Sequence, residues 1–174
     1  PDKPFILILG GAKVSDKIPM IENMLTKVDT ILIGGAMAYT FLKQDGIPIG
    51  ASRYEKDVAD TAKIILEKAR SKGVEILLPV DHLVCDNIDA PVQIKTTASA
   101  DIEDGFIGVD IGPKTIALYT GKLKKARTIV WNGPMGIFEK DHFGEGTKRV
   151  AEAMAASSAI SVVGGGDSAA AAQK

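Results

Sequence analysis

Short apolar runs rich in Ile and Val alternate along the chain with longer amphipathic stretches of helical pattern. The short runs predict buried strands at Phe5 to Leu9, Thr30 to Ile33, Glu75 to Leu78, Thr128 to Trp131 and Ile160 to Val163. The longer stretches predict helices near Val14 to Leu25, Ala36 to Gln44, Glu55 to Lys72 and Glu145 to Ser157. This alternation is typical of an α/β protein. We therefore expect a three-layer α/β/α fold, a Rossmann-like parallel sheet with helices on both faces.

One stretch, from Leu83 to Ile111, breaks this rhythm. It contains short β-like pieces, VQIK and FIGVDI, separated by polar turns, and it predicts a small extra sheet or an excursion beside the main sheet. The pattern contains no linker and no second core, so we expect a single domain over residues 1–174. The helix that GGGDSAAAAQK begins has no closing Gly, Asn or Pro before Lys174, so we expect the chain to be part of a longer protein.

Glycine-rich corners follow four of the predicted strands. They read GGAK from Gly10, GGAM from Gly34, NGPMG from Asn132 and GGGD from Gly164. In open α/β sheets ligands bind at the carboxyl ends of the strands, where helix N-termini offer unpaired N–H groups and a positive dipole to phosphate. Tight turns alone would explain any single corner, but four such corners favour a nucleotide site.

Two lysines, Lys13 and Lys17, lie four residues apart at the predicted start of the first helix. Like charges at this spacing, beside a positive helix end, are unfavourable by a few tenths of a kcal/mol. Such a placement indicates an anionic ligand between them. The alternative is a pair of solvated lysines whose repulsion is partly offset by Asp16.

An acidic residue, Asp167, follows the triple glycine. Its simplest role is that of a helix N-cap, with Ser168 in the first turn. A carboxylate beside a phosphate-binding corner is equally suited to hold Mg²⁺ bound to nucleotide oxygens. Both interpretations of Asp167 stay open at this point.

The segment WNGPMGIFE combines polar and apolar groups in a predicted loop. Asn132 offers an amide, Glu139 a carboxylate, and Ile137 and Phe138 apolar surface. This combination suits a purine base with its ribose, although core packing would explain the two apolar residues as well. The chain has neither a GxxxxGK[ST] loop nor a GxGxxG fingerprint.

Composition excludes several classes of function. The net charge of -1 argues against nucleic acid or an acidic membrane as a partner, and the basic run from Lys122 to Arg127 fits the solvated end of a helix. The single Cys85 excludes an internal disulfide and predicts a buried structural thiol. Two histidines, away from any Ser or Cys motif, do not suggest a catalytic triad or a histidine-rich metal site. No apolar run reaches the roughly 18 residues of a membrane span, so we expect a cytoplasmic protein.

Taken together, the motifs carry a family resemblance. GGAKVSDK, ILIGGAMAYTF, LPVD, WNGPMGIFE and VVGGGDSAA, in this order and spacing, closely resemble the C-terminal, nucleotide-binding half of phosphoglycerate kinase of bacterial type. The match runs over essentially all 174 residues. Members of the family carry a second triple-glycine segment near the C-terminus, beyond the position of Lys174. The chain therefore resembles this domain truncated before its final segment.

The resemblance implies an activity and its limits. The family transfers a phosphoryl group between 1,3-bisphosphoglycerate and MgADP, giving 3-phosphoglycerate and MgATP in glycolysis, and the expected cofactors are ATP/ADP and Mg²⁺. Phosphoglycerate binds to the family's N-terminal domain, whose basic patch includes a catalytic arginine and has no counterpart here. We therefore expect a monomeric chain that binds nucleotide weakly and is catalytically inactive alone.

The resemblance also implies roles for individual residues. Lys13 and Lys17 would be the catalytic lysines, contacting the nucleotide phosphates and the transferred group. Glu139 would accept hydrogen bonds from the ribose hydroxyls, and Asp167 would hold Mg²⁺. The residues expected to surround the base and the phosphates are Gly10, Gly11, Gly34, Gly35, Gly108, Val109, Asn132, Pro134, Ile137, Gly165, Gly166 and Ser168.

Two other classes of function remain as alternatives. One is a nucleoside-cofactor enzyme, such as a methyltransferase or dehydrogenase, which would use the same sheet edge but would not need Mg²⁺ and would carry fingerprints that are absent here. The other is an inactive folding or interaction module. Binding that strengthens with Mg²⁺ distinguishes the kinase interpretation from both.

Overall fold

The computed structural model describes residues 1–165 and residue 173 of the chain. The strands of the main sheet are β1 Phe5–Leu9, β2 Thr30–Ile33, β3 Glu75–Leu77, β7 Thr128–Asn132 and β8 Ile160–Gly164. They form a five-stranded parallel sheet in the order β3-β2-β1-β7-β8. The strands predicted from the apolar runs are confirmed, with shifts of one residue at the ends of β3, β7 and β8.

Helices follow the strands as the sequence pattern predicts, with one addition. The helices are α1 Ile18–Met24, α2 Met37–Gln44, α3 Ala59–Ser71, α4 Pro113–Lys124 and α5 Glu145–Ala156. Single 3₁₀ turns at Lys56–Val58 and Asp141–Phe143 precede α3 and α5. The addition is α4, which the sequence indicated only by its basic end, and which buries Ile116, Tyr119 and Leu123 on one face.

Apolar side chains alternate between the two faces of the sheet and build a core on each. On one face Phe5, Leu7 and Leu9 pack in a cluster with residues of α1, α2 and α3. On the other face Ile6 and Ile8 pack with residues of α4 and α5. This alternation follows from the two-residue repeat of a strand. The expected three-layer α/β/α architecture is confirmed.

Helix α1 begins at Ile18 and not at Val14 as predicted. Residues 15–17 form a turn in which the Lys17 N–H donates to the Val14 carbonyl at 2.9 Å. Pro19 lies in the first turn of the helix, where its missing N–H costs no hydrogen bond. Lys13 and Lys17 therefore both precede the helix and do not share one of its faces. The predicted arrangement, two like charges one helical turn apart, is wrong.

Strand β8 differs from the expectation of a buried strand. It pairs with β7, and among the described residues no strand pairs with its other side. Ile160 and Val162 are 69% and 55% exposed. The two side chains lie on one face of the strand, and neither belongs to a core cluster of the described residues.

A small antiparallel sheet lies beside the main one, as the stretch from Leu83 to Ile111 predicts. Its strands are β4 His82–Cys85, β5 Ile94–Thr96 and β6 Ile107–Ile111, in the order β5-β4-β6. Cys85 is buried, as predicted, and packs with Val109 and Phe143. Among the described residues, no helix combines the length and apolar character that a membrane span requires.

Candidate functional site

Three of the glycine corners meet at the carboxyl ends of β1, β2 and β7. Backbone hydrogen bonds join them: Gly11 N–H donates to the Pro134 carbonyl at 3.0 Å, and Gly35 N–H donates to the Met135 carbonyl at 2.9 Å. A Cβ atom on Gly10 would lie 2.0 Å from the Pro134 oxygen. These glycines therefore let the corners pack against each other as well as leaving backbone open to a ligand.

A cavity of about 480 Å³ opens between these corners and the small sheet. Its walls include seven of the residues expected around a nucleotide: Gly11, Gly35, Gly108, Val109, Pro134, Ile137 and Glu139. Cavities of this size, largely apolar with a few polar groups, are typical of small-molecule sites. Residues from separate parts of the sequence thus meet around one space, and their contact with nucleotide stays a prediction.

Other predicted site residues lie behind or beside the cavity. Gly10 and Gly34 are buried behind its wall, where a Cβ atom on Gly34 would lie 2.4 Å from the Met135 sulfur. Lys13 is exposed on the loop between β1 and α1. Gly166, Asp167 and Ser168 lie outside the described residues.

The ammonium group of Lys17 lies at the junction of three corners. It donates a hydrogen bond to Oδ1 of Asn132, and a Cβ atom on Gly11 would be 3.7 Å from Lys17 Cε. The Asn132 amide in turn lies beside the fourth corner, since a Cβ atom on Gly165 would be 3.5 Å from Asn132 Oδ1. Lys17, Asn132 and Gly165 thus form a polar cluster at the carboxyl end of the sheet, apart from the apolar cavity.

The apolar wall of the cavity is built on Tyr39 and Gly108. A Cβ atom on Gly108 would lie 2.1 Å from the Tyr39 hydroxyl, so only glycine fits against this ring. Burial, the charge of Asp110 and Cys85 raise the pKa of Tyr39 above its ordinary value, so it stays neutral at physiological pH. Behind Tyr39 lies the His82 ring, with a centroid distance of 5.6 Å.

Ile137 lies between the core and the cavity, and its contact with a purine base stays a prediction. It is half-buried against the cluster of Cys85, Val109 and Phe143, and it also lines the cavity. Its N–H donates to the Val109 carbonyl at 3.0 Å, which holds the loop after β7 against the small sheet. Core packing and cavity lining are therefore not exclusive at this position.

Charged groups lie at the rim of the cavity. Glu139 and Asp89 are exposed on one part of it, and Arg53 is exposed on another. Lys140 Nζ lies 3.8 Å from Asp89 Oδ1. The rim therefore offers both a cation and carboxylates to the polar parts of a ligand.

A buried carboxylate, Asp110, lies next to the cavity wall residue Val109. Its oxygens accept hydrogen bonds from the Gly146 N–H and the Ile111 N–H, both at 2.8 Å. Burial raises the pKa of Asp110 to about 7, against the lowering effect of these two hydrogen bonds. The side chain ties β6 to the first turn of α5.

The described residues do not by themselves build a metal centre. Among residues 1–165 and 173 no group of three or more His, Cys, Asp or Glu side chains could hold an ion. Asp167, the ligand expected from the sequence, lies outside this part of the chain.

Sequence reasoning missed several cavity residues, among them Tyr39, Arg53, Asp89 and Met135. Tyr39 could have been found, because it lies on the first turn of the helix after the second corner. Arg53 and Asp89 lie in irregular segments that no periodic pattern describes. Only the tertiary packing of these segments places the two residues at the cavity.

The chain matches the family model described as phosphoglycerate kinase over residues 1–174. It is 56% identical over 171 residues to the phosphoglycerate kinase of Clostridium novyi, covering 98% of this chain and 43% of that protein. It is 55% identical over 175 residues to that of Pseudothermotoga lettingae, covering 100% and 44%. The chain therefore spans less than half the length of the curated relatives it matches.

Two solved structures are similar as well. The phosphoglycerate kinase from Coxiella burnetii superimposes with a TM-score of 0.95 at 43% identity, over 99% of this chain and 45% of that one. The enzyme from Pyrococcus horikoshii superimposes with a TM-score of 0.82 at 34% identity, over 99% and 44%.

Proposed function

Because this chain belongs to the phosphoglycerate kinase family, we propose that it is the nucleotide-binding part of an enzyme that transfers a phosphoryl group between 1,3-bisphosphoglycerate and MgADP. The products are 3-phosphoglycerate and MgATP, and the reaction belongs to glycolysis. The observation that supports this proposal is the apolar cavity beside the polar cluster of Lys17, Asn132 and Gly165. A nucleotide needs both kinds of surface side by side.

The cavity suits the base and the ribose. A flat ring fits between the glycine backbone at Gly11 and Gly35 and the apolar wall at Val109 and Ile137, since bare backbone allows close approach. Glu139, exposed at the rim, would accept hydrogen bonds from the ribose hydroxyls. These groups orient the nucleotide without taking part in proton transfer.

The polar cluster suits the phosphates. The Lys17 ammonium has three donors, so it can keep its hydrogen bond to Asn132 and still bind a phosphate oxygen. Lys13, exposed on the same loop, would supply a second cation, and the N–H groups of the fourth corner would donate to phosphate. Phosphoryl transfer relies on positioning and charge neutralisation, which this arrangement provides.

We expect Mg²⁺ because the phosphoglycerate kinase family uses ATP/ADP with this ion. The ion, when bound, neutralises charge on the nucleotide phosphates. We propose Asp167 as its protein ligand, because Mg²⁺ usually combines one or two carboxylates with phosphate oxygens and water. Lys17 and Asn132 then orient the phosphates from the side of the first and third corners.

The binding site for phosphoglycerate belongs to another domain of the family's enzymes. In the family, phosphoglycerate binds to an N-terminal domain, and closure of the two domains excludes water from the transferred group. We therefore propose that this chain alone binds nucleotide as a monomer in the cytoplasm and makes no measurable ATP. A coupled assay that detects ATP formation by the purified chain would overturn this point.

Titration calorimetry with ADP, with and without Mg²⁺, tests the binding proposal. We expect Mg²⁺ to strengthen binding and Lys17→Ala and Asp167→Ala to weaken it, each by about tenfold, since the first removes a cation beside phosphate and the second removes the proposed protein ligand of Mg²⁺. Lys63→Ala is the matched control, because Lys63 is exposed on α3, which follows neither of the first two corners directly. Absence of ADP binding by a chain that melts cooperatively would contradict the proposal.

A further inference from the structure

The connecting segment between α2 and α3, here residues 51–55, touches several parts of the candidate site. The Gly108 N–H donates to Ser52 Oγ at 2.9 Å, a buried contact with the cavity wall. Arg53 lines the rim of the cavity. The Glu55 N–H donates to Oγ1 of Thr40 on α2 at 3.0 Å. The backbone of this segment is thus held against the small sheet and against the helix after the second corner.

The Glu55 side chain extends from this segment to the loop that carries the two lysines. One carboxylate oxygen accepts the Ser15 N–H at 3.1 Å and the other accepts the Ser15 hydroxyl at 2.7 Å. Ser15 lies between Lys13 and Lys17, 40 residues from Glu55 in sequence. Both oxygens of one side chain therefore hold one residue of the loop, which is the geometry of a charge-assisted, two-point contact.

Other contacts hold the two ends of this loop: the Met37 N–H of α2 donates to the Gly11 carbonyl at 3.0 Å, and the Lys17 ammonium donates to Asn132. Val14 is fully buried in the main core, and the Lys17 N–H closes a turn on the Val14 carbonyl at 2.9 Å. The segment has no regular secondary structure before α1 begins at Ile18. Val14 fixes the middle of the loop to the main core, whereas Ser15 fixes it to the segment of residues 51–55.

We propose that Glu55 is a positioning residue for nucleotide phosphates: through Ser15 it holds Lys13 and Lys17 where they meet the ligand. The inference rests on the proposed function. Glu55 does not line the cavity and acts only through the loop. Because small displacements of a binding group lose much of its effect, loss of the carboxylate weakens the contact with phosphate while leaving the base untouched.

Comparison of ADP with adenosine separates positioning from a general structural role. By calorimetry in Mg²⁺, we expect Glu55→Ala and Ser15→Ala to weaken ADP binding by about tenfold and fivefold, while adenosine binding changes less than about twofold. Glu55→Gln keeps one acceptor for Ser15 and should fall between parent and Glu55→Ala. Glu67→Ala, on the exposed face of α3, removes the same charge away from the loop and is the matched control.

The effects of the Ser15 and Glu55 substitutions on ADP binding should not be additive. The double variant of Ser15→Ala and Glu55→Ala should bind ADP no more weakly than Glu55→Ala alone, because each change removes the same contact. Equal weakening of ADP and adenosine, or unchanged ADP binding, would overturn the inference.

Amide hydrogen exchange without ligand distinguishes a failure of this inference from a failure of the proposed function. Glu55→Ala and Ser15→Ala should lower protection in peptides covering residues 12–17, and Glu67→Ala should not. Unchanged protection in both variants would overturn the anchoring of the loop. If protection falls as expected but the parent chain does not bind ADP, the proposed function is wrong, and with it the phosphate role of Glu55. Thermal melts of each variant show that the comparison is made on folded protein.

Discussion

The ammonium group of Lys17 donates a hydrogen bond to the amide oxygen of Asn132, and this contact joins the loop after β1 to the end of β7. The two residues are 115 positions apart in the sequence. An amide at this place orients the lysine without neutralising its charge.

A negative charge introduced at position 132 should weaken nucleotide binding. Asn132→Asp keeps the size of the side chain but places a carboxylate beside Lys17, so we expect ADP binding to weaken by more than about tenfold. Asn132→Ala should weaken it by about fivefold, because Lys17 loses its orienting contact. Asn23→Asp, on the exposed surface of α1, adds the same charge elsewhere and serves as the control. Calorimetry with ADP is the measurement, and equal affinities of parent and Asn132→Asp would contradict this prediction.

Packing between the glycine corners should contribute to stability. Gly35 has φ +68, and an added Cβ would lie 2.5 Å from the Gly11 nitrogen. Gly46 has φ +78 but nothing within 4 Å of an added Cβ. Gly46→Ala should therefore lower the free energy of unfolding by about 1 kcal/mol through backbone strain alone, and Gly35→Ala by about 3 kcal/mol or more.

Urea unfolding measures this difference. Trp131 is fully buried next to the corners and is the single tryptophan of the chain, so its fluorescence reports the transition. Equal losses for the two alanine variants would show that close packing at Gly35 is unimportant for stability.

Asp110 should make stability depend on pH. Its pKa is raised from 3.8 to about 7 in the folded chain, so the folded state binds this proton more tightly than the unfolded state. The stabilising contribution is complete below the unfolded pKa and disappears as pH rises through the folded pKa of about 7. Asp110→Asn stays neutral throughout this range.

Between pH 5 and pH 8 we therefore expect the parent chain to lose about 2 kcal/mol of unfolding free energy relative to Asp110→Asn. Urea unfolding of both proteins at several pH values gives this difference. Asp104→Asn, at an exposed carboxylate, controls for the loss of one charge. Parallel pH profiles of parent and Asp110→Asn would contradict the raised pKa.

The buried pair of Asp81 and Thr115 should stabilise the start of α4. Asp81 Oδ1 accepts the Thr115 hydroxyl at 2.6 Å and the Thr115 N–H at 2.8 Å, and Oδ2 accepts the Lys114 N–H at 2.9 Å. Both residues are fully buried. Asp81→Ala leaves the N–H groups of Lys114 and Thr115 without this acceptor, so we expect a loss of about 3 kcal/mol in urea unfolding. Asp101→Ala, at an exposed carboxylate between β5 and β6, should change stability by less than about 0.5 kcal/mol. A similar small loss for Asp81→Ala would show that this buried cap is dispensable.

Local pattern was sufficient for much of the fold. Strands β1 and β2 were predicted to the residue, because each is a short apolar run that follows Pro4 or Asp29 and ends at glycine. The start of α1 was not predicted correctly, because Ser15, inside the predicted helix, is held by Glu55 from another part of the chain. The bounds of β8 were predicted to within one residue but its exposure was not, since exposure depends on which elements pack against the strand.

The same division holds for the candidate site. Glycine corners after strands, with lysines and an amide nearby, are features of the sequence, and they locate the site at the carboxyl edge of a parallel sheet because all such strand ends share one edge. Only the tertiary structure decided that Gly10 packs behind the cavity while Gly11 lines it. It alone brought Arg53 and Asp89 to the cavity and the Glu55 carboxylate to Ser15, because contacts between distant segments depend on how helices and sheets pack and leave no periodic pattern in the chain.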